Sequence, residues 1–121
     1  MNTEVKRATR VASRIQEALA REIGNLRDPR VEGAIVSRVE LTDDLQSARV
    51  YIRSLATIEE PARKSMIKGF DAASARLRRE VTKAVALRYS PSLRFFFDEG
   101  TDAVARVEEL LHEIKAERKA P

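Results

Sequence analysis

The chain has 121 residues, 43% hydrophobic and 35% charged, which suits one globular domain burying about two thirds of its unfolded surface. It contains no cysteine, so disulfides, thiolate metal sites and cysteine nucleophiles are excluded. The net charge of +4 favours a polyanionic partner. No apolar run approaches the roughly 18 residues that span a bilayer, and the polar N-terminus lacks a signal-peptide core, so a cytoplasmic location away from membranes is expected.

Val11, Ile15, Leu19 and Ile23 recur at four-residue steps, with Ala8, Ala12 and Ala18 beside them, and predict an amphipathic first helix ended by Gly24-Asn25. Arg7, Arg10, Arg14 and Arg21 line a basic stripe on the same helix, away from its apolar face. Asp28-Pro29-Arg30 reads as a chain reversal, because proline fixes its own φ and pushes Asp28 out of helical geometry. Residues 35–41 and 48–55 alternate and are rich in β-branched side chains, which predicts an antiparallel hairpin. Ile35, Val39 and Leu41 share one face with Ala48, Val50 and Ile52. Pairing Leu41 with Ala48 sets Glu40 against Arg49 and Arg38 against Tyr51 on the other.

Pro61, just after Glu59 and Glu60, suits the first turn of a helix. Ala62, Met66, Phe70, Ala73, Leu77, Val81 and Ala84 carry its apolar stripe almost to Tyr89, where Ser90-Pro91 stops it. Leu93, Phe95 and Phe97 alternate with Arg94, Phe96 and Asp98 as a third strand. Thr101 or Asp102 can cap a final helix whose Val104, Val107, Leu111 and Ile114 face inward, and residues 115–121 form a polar tail. The order helix, strand, strand, long helix, strand, helix predicts an α+β domain over residues 1–114, a three-stranded sheet with helices on one face. No heptad pattern is sustained, so a monomer is expected.

Charge is unevenly spread. Residues 63–94 carry nine basic and two acidic groups, whereas residues 31–62 and 95–121 each carry a net −3. A +7 segment in a +4 chain is the electrostatic footprint of a nucleic-acid binder. Groups suited to catalysis are scarce. His112 is the sole histidine and has no nucleophile motif beside it. Glycines at 24, 33, 69 and 100 are too sparse for a phosphate loop or dinucleotide fingerprint. Asp43-Asp44 and Glu108-Glu109 are adjacent pairs whose side chains diverge. A binding protein rather than an enzyme is therefore expected. The helix and strand order suggests a KH-like arrangement, yet these glycines cannot form the GxxG backbone clamp of that module.

Several motifs together resemble the ribosome-binding factor A family: Arg10-Val11 with Ile15, Asp28-Pro29-Arg30 with Gly33, Val39, Asp44-Leu45, Ala48 and Val50-Tyr51. The resemblance continues through Leu77-Arg78, Leu87-Arg88, Pro91, Leu93, Phe95, Asp98, Leu110-Leu111 and Ile114. It implies a type II KH-like fold in which a kinked helix pair replaces GxxG, conventionally at Ala-x-Gly. The corresponding residues here are Ala73, Ser74 and Ala75. Alanine in place of glycine keeps helix propensity, while Ser74 can bend a helix by bonding back to a preceding carbonyl. The resemblance further implies binding to the free, immature small ribosomal subunit and its 16S rRNA, non-catalytic help with late maturation and 5′-end processing, and release aided by a ribosome-associated GTPase. It also implies a role in growth at low temperature and no need for a cofactor.

On this reading Arg76, Arg79 and Lys83, three and four residues apart, form a phosphate-contacting ridge that Lys64 and Lys68 extend. Arg7, Arg10 and Arg14 form a second edge, with Arg30 and Arg88 near the ends. Two other readings remain open. One is a DNA-binding helix-turn-helix. The other is a protein-interaction module using Phe96 or the Arg38, Arg49, Tyr51 and Arg53 strand face, a face that could also stack bases.

Overall fold

The computed structural model describes residues 3–98. It contains helix α1 (Thr3–Ile23), a short 3-10 turn (Pro29–Val31), strands β1 (Ala34–Leu41) and β2 (Ser47–Ser54), helices α2 (Glu60–Ala72) and α3 (Ser74–Val85), and strand β3 (Ser92–Phe97). The strands lie in the order β1-β2-β3, with β1 and β2 antiparallel and β2 and β3 parallel. The parallel pair needs a long crossover, which α2 and α3 supply. This is the expected α+β order as far as Asp98. The final helix over residues 101–114 and the tail over 115–121 lie outside the described residues.

One apolar layer lies between the helices and the sheet. Ile15 and Leu19 of α1, Val50 and Ile52 of β2, Phe70 of α2, and Leu77 and Val81 of α3 are fully buried. The rings of Phe70 and Phe95 stack 5.3 Å apart at 23°, clamping α2 to β3. No charged or polar side chain is buried among the described residues.

The hairpin has the predicted register: Leu41 opposite Ala48, Glu40 opposite Arg49 and Arg38 opposite Tyr51. A bulge between Val36 and Arg38 corrects one assignment. The extra residue, Ser37, reverses the alternation, so Val36 is buried on the inner face and Ile35 turns outward. The bulge is held from both sides. The Gln16 side-chain amide of α1 donates to the carbonyls of Val36 and Ser37 at 3.4 Å, and the Ser37 hydroxyl donates to the Asp98 carboxylate at 2.6 Å. At the other end of the hairpin, Thr42 Oγ1 donates to Asp44 Oδ1 at 2.6 Å, and that carboxylate accepts from the Gln46 N–H. The two bonds, the hydroxyl first, hold the Asp44 carboxyl below the ordinary aspartate range.

The apolar stripe of the long helical region also shifts. Ala62 and Ala84 are exposed, and Val85 takes the inward position at the end of α3. The helix stops at Val85 rather than near Tyr89, because Ala86 adopts the left-handed conformation (φ 54°, ψ 43°) and its N–H caps the Thr82 carbonyl. Tyr89 is exposed and Pro91 is fully buried. Asp28-Pro29-Arg30 does reverse the chain, as the start of the 3-10 turn, and α2 packs directly on it. Gly69 permits that approach: a Cβ there would come within 2.7 Å of Val31 Cγ1 and 3.2 Å of Arg30 Cβ.

Gly69→Ala is expected to lower stability by about 1 kcal/mol, the overpacking cost exceeding the gain of about 1 kcal/mol in helix propensity. Ala86→Gly is expected to raise stability by about 0.5–1 kcal/mol, because glycine accepts positive φ without the steric cost. Urea denaturation midpoints of the two variants check both signs.

Candidate nucleic-acid interface

With no polar interior among the described residues, function has to be sought on the surface. The α2–α3 region exposes five cations, Lys64, Lys68, Arg76, Arg79 and Lys83. The two helices are separated by the single residue Ala73 (φ −91°, ψ 0°), whose N–H reaches the carbonyls of Gly69 and Phe70 while its own carbonyl accepts from Leu77. So short a junction differs from the three-to-four-residue turn of a helix-turn-helix. Ser74 is partly buried and Ala75 exposed at the start of α3.

Arg76, Arg79 and Lys83 project from α3 into solvent, opposite the buried Leu77, Val81 and Val85. Lys83 makes an exposed 3.6 Å pair with Glu80, a contact weak enough to be exchanged for a phosphate. On α2, Lys64 and Lys68 are exposed, and Lys64 lies 3.9 Å from Glu60. They flank a groove between α2 and β3, floored by Ile67 and Phe95 to Phe97 and bordered by Arg63. The Arg63 guanidinium lies 5.2 Å from the Phe97 ring centre. The sequence pattern missed this groove because its two walls lie about thirty residues apart in the chain.

Arg7, Arg10 and Arg14 are exposed on α1. The α1 residues that line a groove with the α3 ridge are Ala18, Arg21 and Glu22, facing Glu80 and Lys83. Arg88 lies in the loop after α3, its guanidinium 5.6 Å from the Tyr89 ring centre. Arg30 is the one engaged elsewhere. Its Nε and Nη2 donate to both oxygens of Asp28 at 2.7–3.1 Å, and its backbone N–H donates to Asp28 Oδ1. The side-chain bonds, followed by the backbone bond, hold the Asp28 carboxyl below its ordinary value. Arg78 is likewise held by the fold, since its Nε donates to the Pro91 carbonyl and its Nη2 to that of Ser90. The Thr82 hydroxyl lies 2.9 Å from that of Ser90. These bonds tie the α3–β3 loop down beneath the ridge.

The other side of the sheet carries a second cationic surface. Tyr51 and Phe96, neighbours on β2 and β3, stack 5.7 Å apart at 30°. The Arg38 guanidinium lies 4.2 Å from the Tyr51 ring centre, and that of Arg94 lies 6.0 Å from the Phe96 ring centre.

The chain matches the ribosome-binding factor A family over residues 7–111. It is 56% identical over 116 residues to ribosome-binding factor A of Sorangium cellulosum, covering 95% of this chain and 94% of that one. The crystal structure of the Thermus thermophilus factor superimposes with a TM-score of 0.63 at 29% identity, over 74% of this chain and 93% of that one. Coordinates of the Thermus thermophilus factor fitted into the cryo-EM map of its 30S complex give a TM-score of 0.57 at 31% identity, over 69% of this chain and 87% of that one.

Because the folded-state pKa of Asp28 is depressed, its contribution to stability is present above the unfolded value of about 3.9 and is lost as pH falls through the folded value. Asp28→Asn should therefore be less stable than the parent at neutral pH, and the difference should shrink below about pH 4. Denaturant midpoints of the two proteins across the acid range check this.

Proposed function

The chain belongs to the ribosome-binding factor A family, and from that membership we propose that it binds the immature small ribosomal subunit and contacts its 16S rRNA. The observation that carries this reading is the exposed α3 ridge of Arg76, Arg79 and Lys83. Three cations spaced three and four residues apart share one helix face and can meet successive phosphates. Lys64 and Lys68 extend the surface beyond the junction at Ala73, Ser74 and Ala75. That junction stands where a GxxG clamp would otherwise bring backbone against RNA. Arg7, Arg10 and Arg14 form a second edge and Arg88 an end contact. Arg30 acts mainly through Asp28, keeping the 3-10 turn in place under α2.

Phosphate contacts supply affinity and orientation, while the shape of the RNA supplies selectivity. The protein favours one conformation of the rRNA because it binds that conformation more tightly, and no bond is made or broken. In this way it assists late maturation and 5′-end processing, most of all in the cold, where misfolded RNA escapes slowly. It works as a cytoplasmic monomer without a cofactor and leaves the subunit with the help of a ribosome-associated GTPase.

Replacing Arg76, Arg79 and Lys83 together by alanine should leave the circular dichroism unchanged and weaken cosedimentation with small-subunit precursors. The slope of log K against log salt should become shallower by about two to three, close to one unit per lost phosphate contact. An unchanged affinity and slope would remove the ridge from the interface.

A further inference from the structure

The outer sheet face combines features that the helical ridge lacks. The chain has only six aromatic side chains, four Phe and two Tyr, and two of them stand side by side on the side of the sheet away from the helices. Phe96 there is 37% exposed, and the guanidinium groups of Arg38 and Arg94 lie over the pair. Arg49 pairs across β2 and β3 with Arg94, and Arg53 follows two residues after Tyr51, so four arginines frame two rings. Of the two carboxylates on the same face, Asp98 accepts the Ser37 hydroxyl and Glu40 lies 3.5 Å from Arg38. The face is therefore net cationic with an aromatic centre. The α3 ridge of Arg76, Arg79 and Lys83 includes no aromatic ring, which suits phosphates in a duplex.

We propose that Tyr51 and Phe96 form a stacking platform for unpaired RNA bases, with Arg49, Arg53 and Arg94 holding the flanking phosphates. Unpaired bases stack on aromatic rings and on guanidinium planes, and every base offers a π face. The Arg38 side chain is 58% exposed and its pair with Glu40 is a surface one, a contact weak enough to be exchanged so that a base enters between its guanidinium and the Tyr51 ring. The platform and the ridge lie on opposite sides of the sheet. The protein can then hold a duplex by its backbone on one side and a single-stranded segment by its bases on the other.

The test uses the full chain with Tyr89→Phe, which leaves Tyr51 as the only tyrosine emitter, and a short oligoadenylate of about eight nucleotides. The oligonucleotide should quench Tyr51 emission, and an abasic strand of equal length should bind about tenfold more weakly without quenching. In the wild-type background with a labelled strand, Tyr51→Ala and Phe96→Ala should each weaken binding about tenfold. Tyr51→Phe should preserve it, and the Arg76, Arg79 and Lys83 triple variant should still bind. Equal affinity for the abasic strand, or unchanged binding by both alanine variants with native circular dichroism, would overturn the proposal. So would quenching by polyglutamate without quenching by RNA, which would assign the face to an acidic protein segment. No ribosomal particle is involved, so the result stands apart from the cosedimentation experiment.

Discussion

The sheet is too short for the helix that the sequence would otherwise make. Glu60–Val85 as one straight helix would extend about 39 Å at 1.5 Å per residue, whereas an eight-residue strand spans about 26 Å. An unbroken helix would carry part of its apolar stripe past the edge of the sheet into water. Ending α2 at Ala72 and restarting at Ser74 lets both Phe70 and Leu77 be fully buried. Alanine propensity favours continuity here, and tertiary burial outweighs it. The rest of the architecture follows: α2 is pinned at one end by the Phe70–Phe95 stack, and along its side by the close approach of Gly69 to Val31.

Placing α1, α2 and α3 on one face divides the described surface into two regions with different chemistry. On the helical side, a residue of α3 either faces the core or faces water, and Arg76, Arg79 and Lys83 belong to the second group. On the sheet side, alternation delivers one outward residue in two, so β1, β2 and β3 bring Arg38, Tyr51 and Phe96 into a row across the strands. The net charge of the whole chain conceals this division, because acidic groups in the hairpin segment offset the basic ones elsewhere.

Much of the fold could be read from periodicity. The buried stripe of α1, the hairpin register and the β3 alternation depend on local spacing and on a loop whose chemistry fixes the pairing. Where that reading failed, the determinants lie far away in the chain. The Ser37 bulge is held by Gln16 and Asp98, 21 and 61 residues distant, so nothing near Ile35 warns that Val36 takes the inner position. The helix end at Ala86 puts an alanine where glycine is usual, and no composition rule finds it. Charge counting alone could not show that the Arg30 guanidinium pairs with Asp28 at 2.7 Å, because that contact depends on the 3-10 turn. Gly69 counted only against a phosphate loop, although its value lies in the space it leaves for Val31.

The parallel pairing of β3 with β2 has a consequence for the order of assembly. The hairpin closes through a five-residue loop, whereas Ser92 finds Ser47 across a separation of 45 residues, so the hairpin nucleates cheaply and the edge strand docks after a large loss of chain entropy. Both the α2–β3 groove and the Tyr51–Phe96 pair are created by that docking. A nascent or partly unravelled chain therefore carries the α3 cations on their own helix but lacks both of these composite surfaces until the edge strand is in place.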